Sequence, residues 1–224
     1  VASVIFEERV EVPLGLVGLG EFRAWMASTG FPDSGRIDFL AGTIEVDMSP
    51  EDIFSHGVLK AELAAVLHRR VKSGSLGMLL IDSTRVVAPA ADLSVEPDLV
   101  FVSHESLRDG RARLVPKATG EPGRFVEIEG AVDLVVEIVS DTSVEKDTRR
   151  LPAAYFRAGV REFWLLDARG PQPEFVIHRR SAERFVPVDV ASDGSQRSDV
   201  LGRRYVLHGR RNTLGGYDFD LIDS

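Results

Sequence analysis

The chain alternates between stretches of helical and of strand periodicity. Residues Leu16–Thr29 place Leu19, Phe22, Trp25 and Met26 on one side of a helix that stops at Gly30. In GRIDFLAGTIEVDMSP the period shortens to two, with Ile37, Phe39, Ile44, Val46 and Met48 alternating around Ala41-Gly42. That pattern predicts a β-hairpin. A second helix is expected from about Ser55 to Lys72. Ser55 would be its N-cap, and Val58, Leu59, Leu63, Val66 and Leu67 its buried stripe.

MLLIDSTRVVA and VEPDLVFV each read as a strand, and Asp109–Thr119 reads as a polar, basic loop. DLVVEIVS is apolar on both alternating sets, as expected of a central strand covered on two faces. A helix then runs to Ala158 with Gly159 as its stop, and Pro152 makes Thr148–Arg150 an irregular lead-in. REFWLLD reads as a further strand. FVIHRR, RFVPVDV and RYVLHG read as closing antiparallel hairpin strands. The order strand, strand, helix, strand in the middle predicts an α/β fold, a mixed sheet core flanked by helices.

Composition narrows this picture. The 224 residues are 44% apolar, enough for one domain with a substantial core. No stretch has the length of a membrane-spanning helix. The opening VASVIFEERVEVP carries early acids and no basic-then-apolar leader pattern. The absence of cysteine excludes disulfides and thiolate metal sites, and it fits a cytoplasmic location. A net charge of −8 argues against non-specific coating of nucleic acid, which runs on phosphate neutralisation. A local basic surface stays open, because arginines occur in pairs such as 149–150, 179–180 and 210–211.

Two acids stand out by position. Asp98 follows Pro97 at the start of one strand, and Glu137 lies inside the apolar run LVVEIV. A carboxylate within a buried strand is costly unless it is paired or bound to metal. Singly, Glu137 reads equally as the partner of an arginine and Asp98 as a turn residue. Together they can converge at one sheet edge. With the backbone carbonyl of Ile138 they would offer hard oxygen ligands suited to Mg²⁺, with Mn²⁺ as its substitute. The five histidines are scattered and give no zinc spacing.

EPDLVFV, DLVVEIVSDTS and AAYFRAGVREFWLLD, with the hairpin and helix before them, resemble the Uma-type restriction endonucleases of the PD-(D/E)XK superfamily. The likeness covers most of residues 20–190. It implies a restriction-endonuclease-like core as the domain 20–190, preceded by an arm (1–19) and followed by a β extension (191–224) packed on the same domain. The resemblance makes Asp98 and Glu137 metal ligands, and puts Asp38 and His56 at accessory positions. In the superfamily motif a lysine stands two residues after the glutamate, where this chain has Val139. The Uma-type family has moved that lysine four residues ahead of the tyrosine matched by Tyr155, where this chain has Leu151. Lys146 and Arg150 are the nearest cations and the candidates to stabilise phosphate charge. The resemblance implies a Mg²⁺-dependent endonuclease acting on DNA as a homodimer; the alternative is a catalytically impaired binding or assembly module.

Overall fold

The computed structural model describes residues 12–13, 15–32 and 35–224, so residues 1–11 of the expected N-terminal arm lie outside the described residues. The first helix, α1 (Leu19–Met26), is shorter than its apolar periodicity. The strands β1 (Arg36–Leu40) and β2 (Thr43–Asp47) form the expected hairpin, closed by Ala41 and Gly42, both at positive φ. This hairpin is the edge of a sheet rather than an appendage. It continues through β5 (Leu93–Val95), β4 (Arg85–Ala88), β8 (Phe125–Gly130) and β7 (Ala112–Pro116), in that order.

A second sheet runs β12 (Phe185–Pro187), β11 (Glu174–Arg180), β10 (Glu162–Asp167), β9 (Leu134–Ile138), β6 (Leu99–Ser103) and β3 (Gly77–Ile81). The short α3 (His104–Arg108) follows β6, and in this sheet β9 and β10 are parallel and are joined by α4 (Leu151–Arg157). A third, antiparallel sheet of β13 (Gln196–Ser198), β14 (Arg203–Arg211) and β15 (Tyr217–Asp223) closes the chain.

One face of the second sheet (Phe101, Val136, Trp164, Leu166) packs on α2 (Leu59–Ser73) and on Tyr205, Phe219 and Leu221 of the third sheet. The other face (Val100, Val102, Val135, Phe163) meets the first sheet and the α4 residues Leu151, Ala154 and Tyr155. The Ile37–Phe39 side of β1 takes Phe22 and Trp25 of α1. The result is an α/β architecture with mixed sheets flanked by helices. Among the described residues no helix is long and apolar enough to cross a membrane.

Four local expectations are corrected. The α2 region is capped by Asp52, whose carboxylate accepts the Phe54 and Ser55 amides, and a π turn over Ile53–Val58 precedes the regular helix. MLLIDSTRVVA is two strands in different sheets, because Asp82 and Ser83 both take positive φ and turn the chain. VEPDLVFV likewise breaks, at Glu96–Asp98, between β5 and β6. The polar segment 109–119 contains β7, whose pairing with β8 sequence periodicity did not reveal. The irregular lead-in to α4 is a π turn over Lys146–Arg150.

Candidate metal centre

Strand geometry brings the two singled-out acids together. β6 runs antiparallel to β9 with Leu99 opposite Val136, so one step further Asp98 faces Glu137. Oδ2 of Asp98 accepts the Ile138 amide at 2.8 Å, tying the start of β6 to the end of β9. The contact seen at Ile138 is therefore amide to Asp98. Glu137 points to the α4 side of the sheet, where the Tyr155 hydroxyl donates to its Oε1 at 2.5 Å. Asp38, Asp98 and Glu137 are each no more than 2% exposed.

Cations surround Asp98 on its other oxygen. Arg36 reaches Oδ1 at 3.0 Å and Lys60 at 3.3 Å, while His56 Nε2 lies at 3.4 Å. Burial alone would raise the Asp98 pKa, but contact with His56 and the charges of Arg36, His56 and Lys60 outweigh it and hold Asp98 far below the usual carboxylate range. Glu137 goes the other way. Burial raises its pKa well above the ordinary value, and the neighbouring Asp98 and Asp147 charges raise it further; Arg36 and the Tyr155 hydrogen bond only partly oppose them. Asp147, on the lead-in to α4, is pushed up to about 6, chiefly by burial and despite the Ser143 hydroxyl it accepts. Negative charge is thus in excess around Glu137 and compensated around Asp98.

Lys146 Nζ sits 2.5 Å from Asp38, and Asp38 also accepts the Glu96 amide at 3.0 Å. Burial disfavours the Lys146 charge, but Asp38 and Glu137 more than restore it, so the ammonium is held protonated. Arg150 lies elsewhere: it pairs with Glu45 of β2 on the surface. Leu151 is buried in the apolar core with Ala154 and Tyr155.

A second donor set shares Asp98. Ligand atoms of Glu51, His56 and Asp98 lie within 4.8 Å of one another. His56 is 3% exposed, and its Nδ1 is buried without a hydrogen-bond partner, though Glu51 Oε2 lies 3.1 Å away. Lys60 already stands in this group, 2.8 Å from Glu51 and 2.7 Å from Asp82. Sequence reading did not pick out Glu51, Arg36, Lys60 or Asp147. Each is an ordinary charged residue locally, and only the folded chain brings it to Asp98 or Glu137.

The family model described as "Uma2: Putative restriction endonuclease" matches residues 19–205. No curated protein matches. The chain is similar in structure to the crystal structure of "a putative nuclease belonging to DUF820" from Anabaena variabilis ATCC 29413. The TM-score is 0.59 at 17% identity, over 83% of this chain and 91% of that one. At that identity the likeness is one of fold.

Proposed function

The chain belongs to the Uma2 family, and on that premise we propose that it is a divalent-metal-dependent endonuclease of the PD-(D/E)XK type that hydrolyses phosphodiester bonds of DNA. The observation that carries the reading is the juxtaposition of two buried carboxyls, Asp98 and Glu137, across the β6–β9 pairing. Two buried carboxyls side by side offer hard oxygen donors of the kind that Mg²⁺ or Mn²⁺ takes. The Glu51–His56–Asp98 set shares Asp98 with this pair, and Lys60 and Arg36 supply positive charge beside both.

A bound divalent cation would neutralise phosphate charge and acidify a water for attack on phosphorus. The chain's own residues do the rest. Asp98 is fixed by the Ile138 amide and kept ionised by Arg36 and Lys60, so it is a ligand at any physiological pH. Tyr155 fixes the orientation of the Glu137 carboxyl. Lys146, held on Asp38 and charged, offsets phosphate charge from a position five residues ahead of Leu151. Being protonated, it acts as a charge and not as a base. Arg150, committed to Glu45, has no part in this arrangement.

The test is plasmid cleavage with Mg²⁺ or Mn²⁺, set against Glu137→Ala. Metal-dependent nicking by the parent and its loss in the variant are expected. Equal activity in both, or none in either, refutes the reading. One observation favours a second reading, a non-cutting binding module: the family's lysine position is a core leucine, Leu151, that cannot reach solvent. Calorimetric titration separates the two, because a module of that kind binds neither ion.

A further inference from the structure

Lys60 stands in the first turn of α2, just after the π turn that carries His56, and both side chains reach the same oxygen of Asp98. Lysine is rarely buried, because its long stem lets the ammonium reach water. Lys60 is only 6% exposed, and its ammonium turns inward. Three carboxylates stand around it: Asp82 Oδ1 at 2.7 Å, Glu51 Oε1 at 2.8 Å and Asp98 Oδ1 at 3.3 Å. Asp82 is brought there by the positive-φ turn after β3, where its amide donates to the Asp98 carbonyl at 3.2 Å.

Two of these carboxylates, with His56, make the donor set whose ligand atoms lie within 4.8 Å of one another. An imidazole with two carboxylates suits Zn²⁺ or another nitrogen-binding metal better than Mg²⁺. His56 Nδ1 is buried without a hydrogen-bond partner. Residue spacing along the chain shows no such set; the fold assembles it and also fills it. Arg36 approaches Asp98 as well, at 3.0 Å, but stays 3.9 Å from Glu51. Its charge is spread over a planar fork, whereas the Lys60 ammonium is a compact point charge, held among carboxylates as a small ion would be.

We propose that Lys60 sets the metal selectivity of this centre: its ammonium fills the Glu51–His56–Asp98 site and leaves the carboxyl oxygens of Asp98 and Glu137 for a divalent ion. The inference rests on the proposed function for the presence of that ion. Metals that favour imidazole outcompete Mg²⁺ wherever nitrogen and oxygen donors are offered together. The resident ammonium denies them the nitrogen, by occupying the space and by like-charge repulsion.

The experiment is calorimetric titration of Zn²⁺ and of Mg²⁺ into the parent, Lys60→Met, Lys60→Met with His56→Gln, and Arg36→Met. In Lys60→Met the ratio of Zn²⁺ to Mg²⁺ affinity should rise at least about tenfold, or about 1.4 kcal/mol. Adding His56→Gln should cancel the rise, because the nitrogen is gone. Arg36→Met removes an equal charge beside Asp98 and should move both ions alike, with the ratio unchanged. Lys60→Gln, which keeps a donor for Asp82, carries the same expectation if the methionine variant does not fold. An unchanged ratio in the Lys60 variants, a rise that survives His56→Gln, or an equal rise in Arg36→Met overturns the proposal and leaves Lys60 a structural ion pair. Plasmid cleavage by the parent with Mg²⁺ runs in parallel. Cleavage with an unchanged ratio refutes the role of Lys60 and leaves the nuclease reading. A His56-dependent rise without cleavage supports the role of Lys60 and refutes the nuclease. A parent that binds neither ion refutes the metal reading; Lys60→Met must then still gain His56-dependent Zn²⁺ binding, or the proposal falls with it.

Discussion

The Tyr155 hydroxyl offers a clean perturbation of the buried network. Tyr155 and Glu137 are 0% and 2% exposed, and the hydroxyl donates to Glu137 at 2.5 Å. Tyr155→Phe deletes that donor and keeps the ring against Phe163, whose centroid lies 5.9 Å away, so almost no apolar burial is lost. The cost is the stranded acceptor. A buried carboxyl oxygen left without its partner loses about 1–3 kcal/mol, toward the upper end if Glu137 is ionised and the lower end if it is protonated. For a chain of this length each kcal/mol moves the melting temperature by about 2–4 °C, so a fall of about 2–12 °C is expected. Urea denaturation should show a lower midpoint with an unchanged slope, since the surface exposed on unfolding is the same. Repeating the change in a Glu137→Leu background should abolish most of the effect, because the acceptor is gone. A loss below about 0.5 kcal/mol in the parent background, or one that persists without Glu137, refutes the assigned hydrogen bond.

Two further outcomes follow from other buried charges. Lys146→Met leaves Asp38, 1% exposed, without its ammonium, and should cost about 3–5 kcal/mol in chemical denaturation; adding Asp38→Asn should recover part of it. His178 is held below its ordinary value of 6.5, chiefly by burial, with its Nδ1 unpartnered against Phe163. Its folded pKa is depressed, so the stability it contributes is present above 6.5 and is lost as pH falls through the lower folded value. His178→Leu should therefore flatten the decline of the melting temperature between pH of about 7 and about 5, and an identical decline would refute this.

Sequence reading reached the fold through periodicity, and it succeeded where one element carried its own pattern. The hairpin around Ala41-Gly42, the LVVEIV strand and the helix stopped by Gly159 all signal locally. It failed where two strands of different sheets follow each other with only a short turn between them. Asp82 and Ser83 take positive φ between two apolar runs, and the polar step Asp82-Ser83-Thr84 is the only sign of the turn in MLLIDSTRVVA, with none of the change of sheet. Asp98 and Glu137 were legible because a carboxylate in a strand is conspicuous. Their setting was not, since Arg36, Glu51, Lys60 and Asp147 come from four separate stretches of the chain and look like surface charges in sequence. Arg150 shows the converse: proximity along the chain suggested a role, but the side chain turns out to Glu45.

The charges around Asp98 are drawn from β1, α2, β6, β9 and the lead-in to α4, and no contiguous segment holds them. Synthesis delivers these parts in order. Asp38 and Asp98 leave the ribosome long before Lys146 and Tyr155, which complete the ring of contacts. A nascent chain therefore carries the acids as hydrated, separate groups and has no assembled pocket until α4 has emerged. The buried cluster of carboxyls and cations is therefore complete only when the last of its residues, on the lead-in to α4 and on α4 itself, has been made.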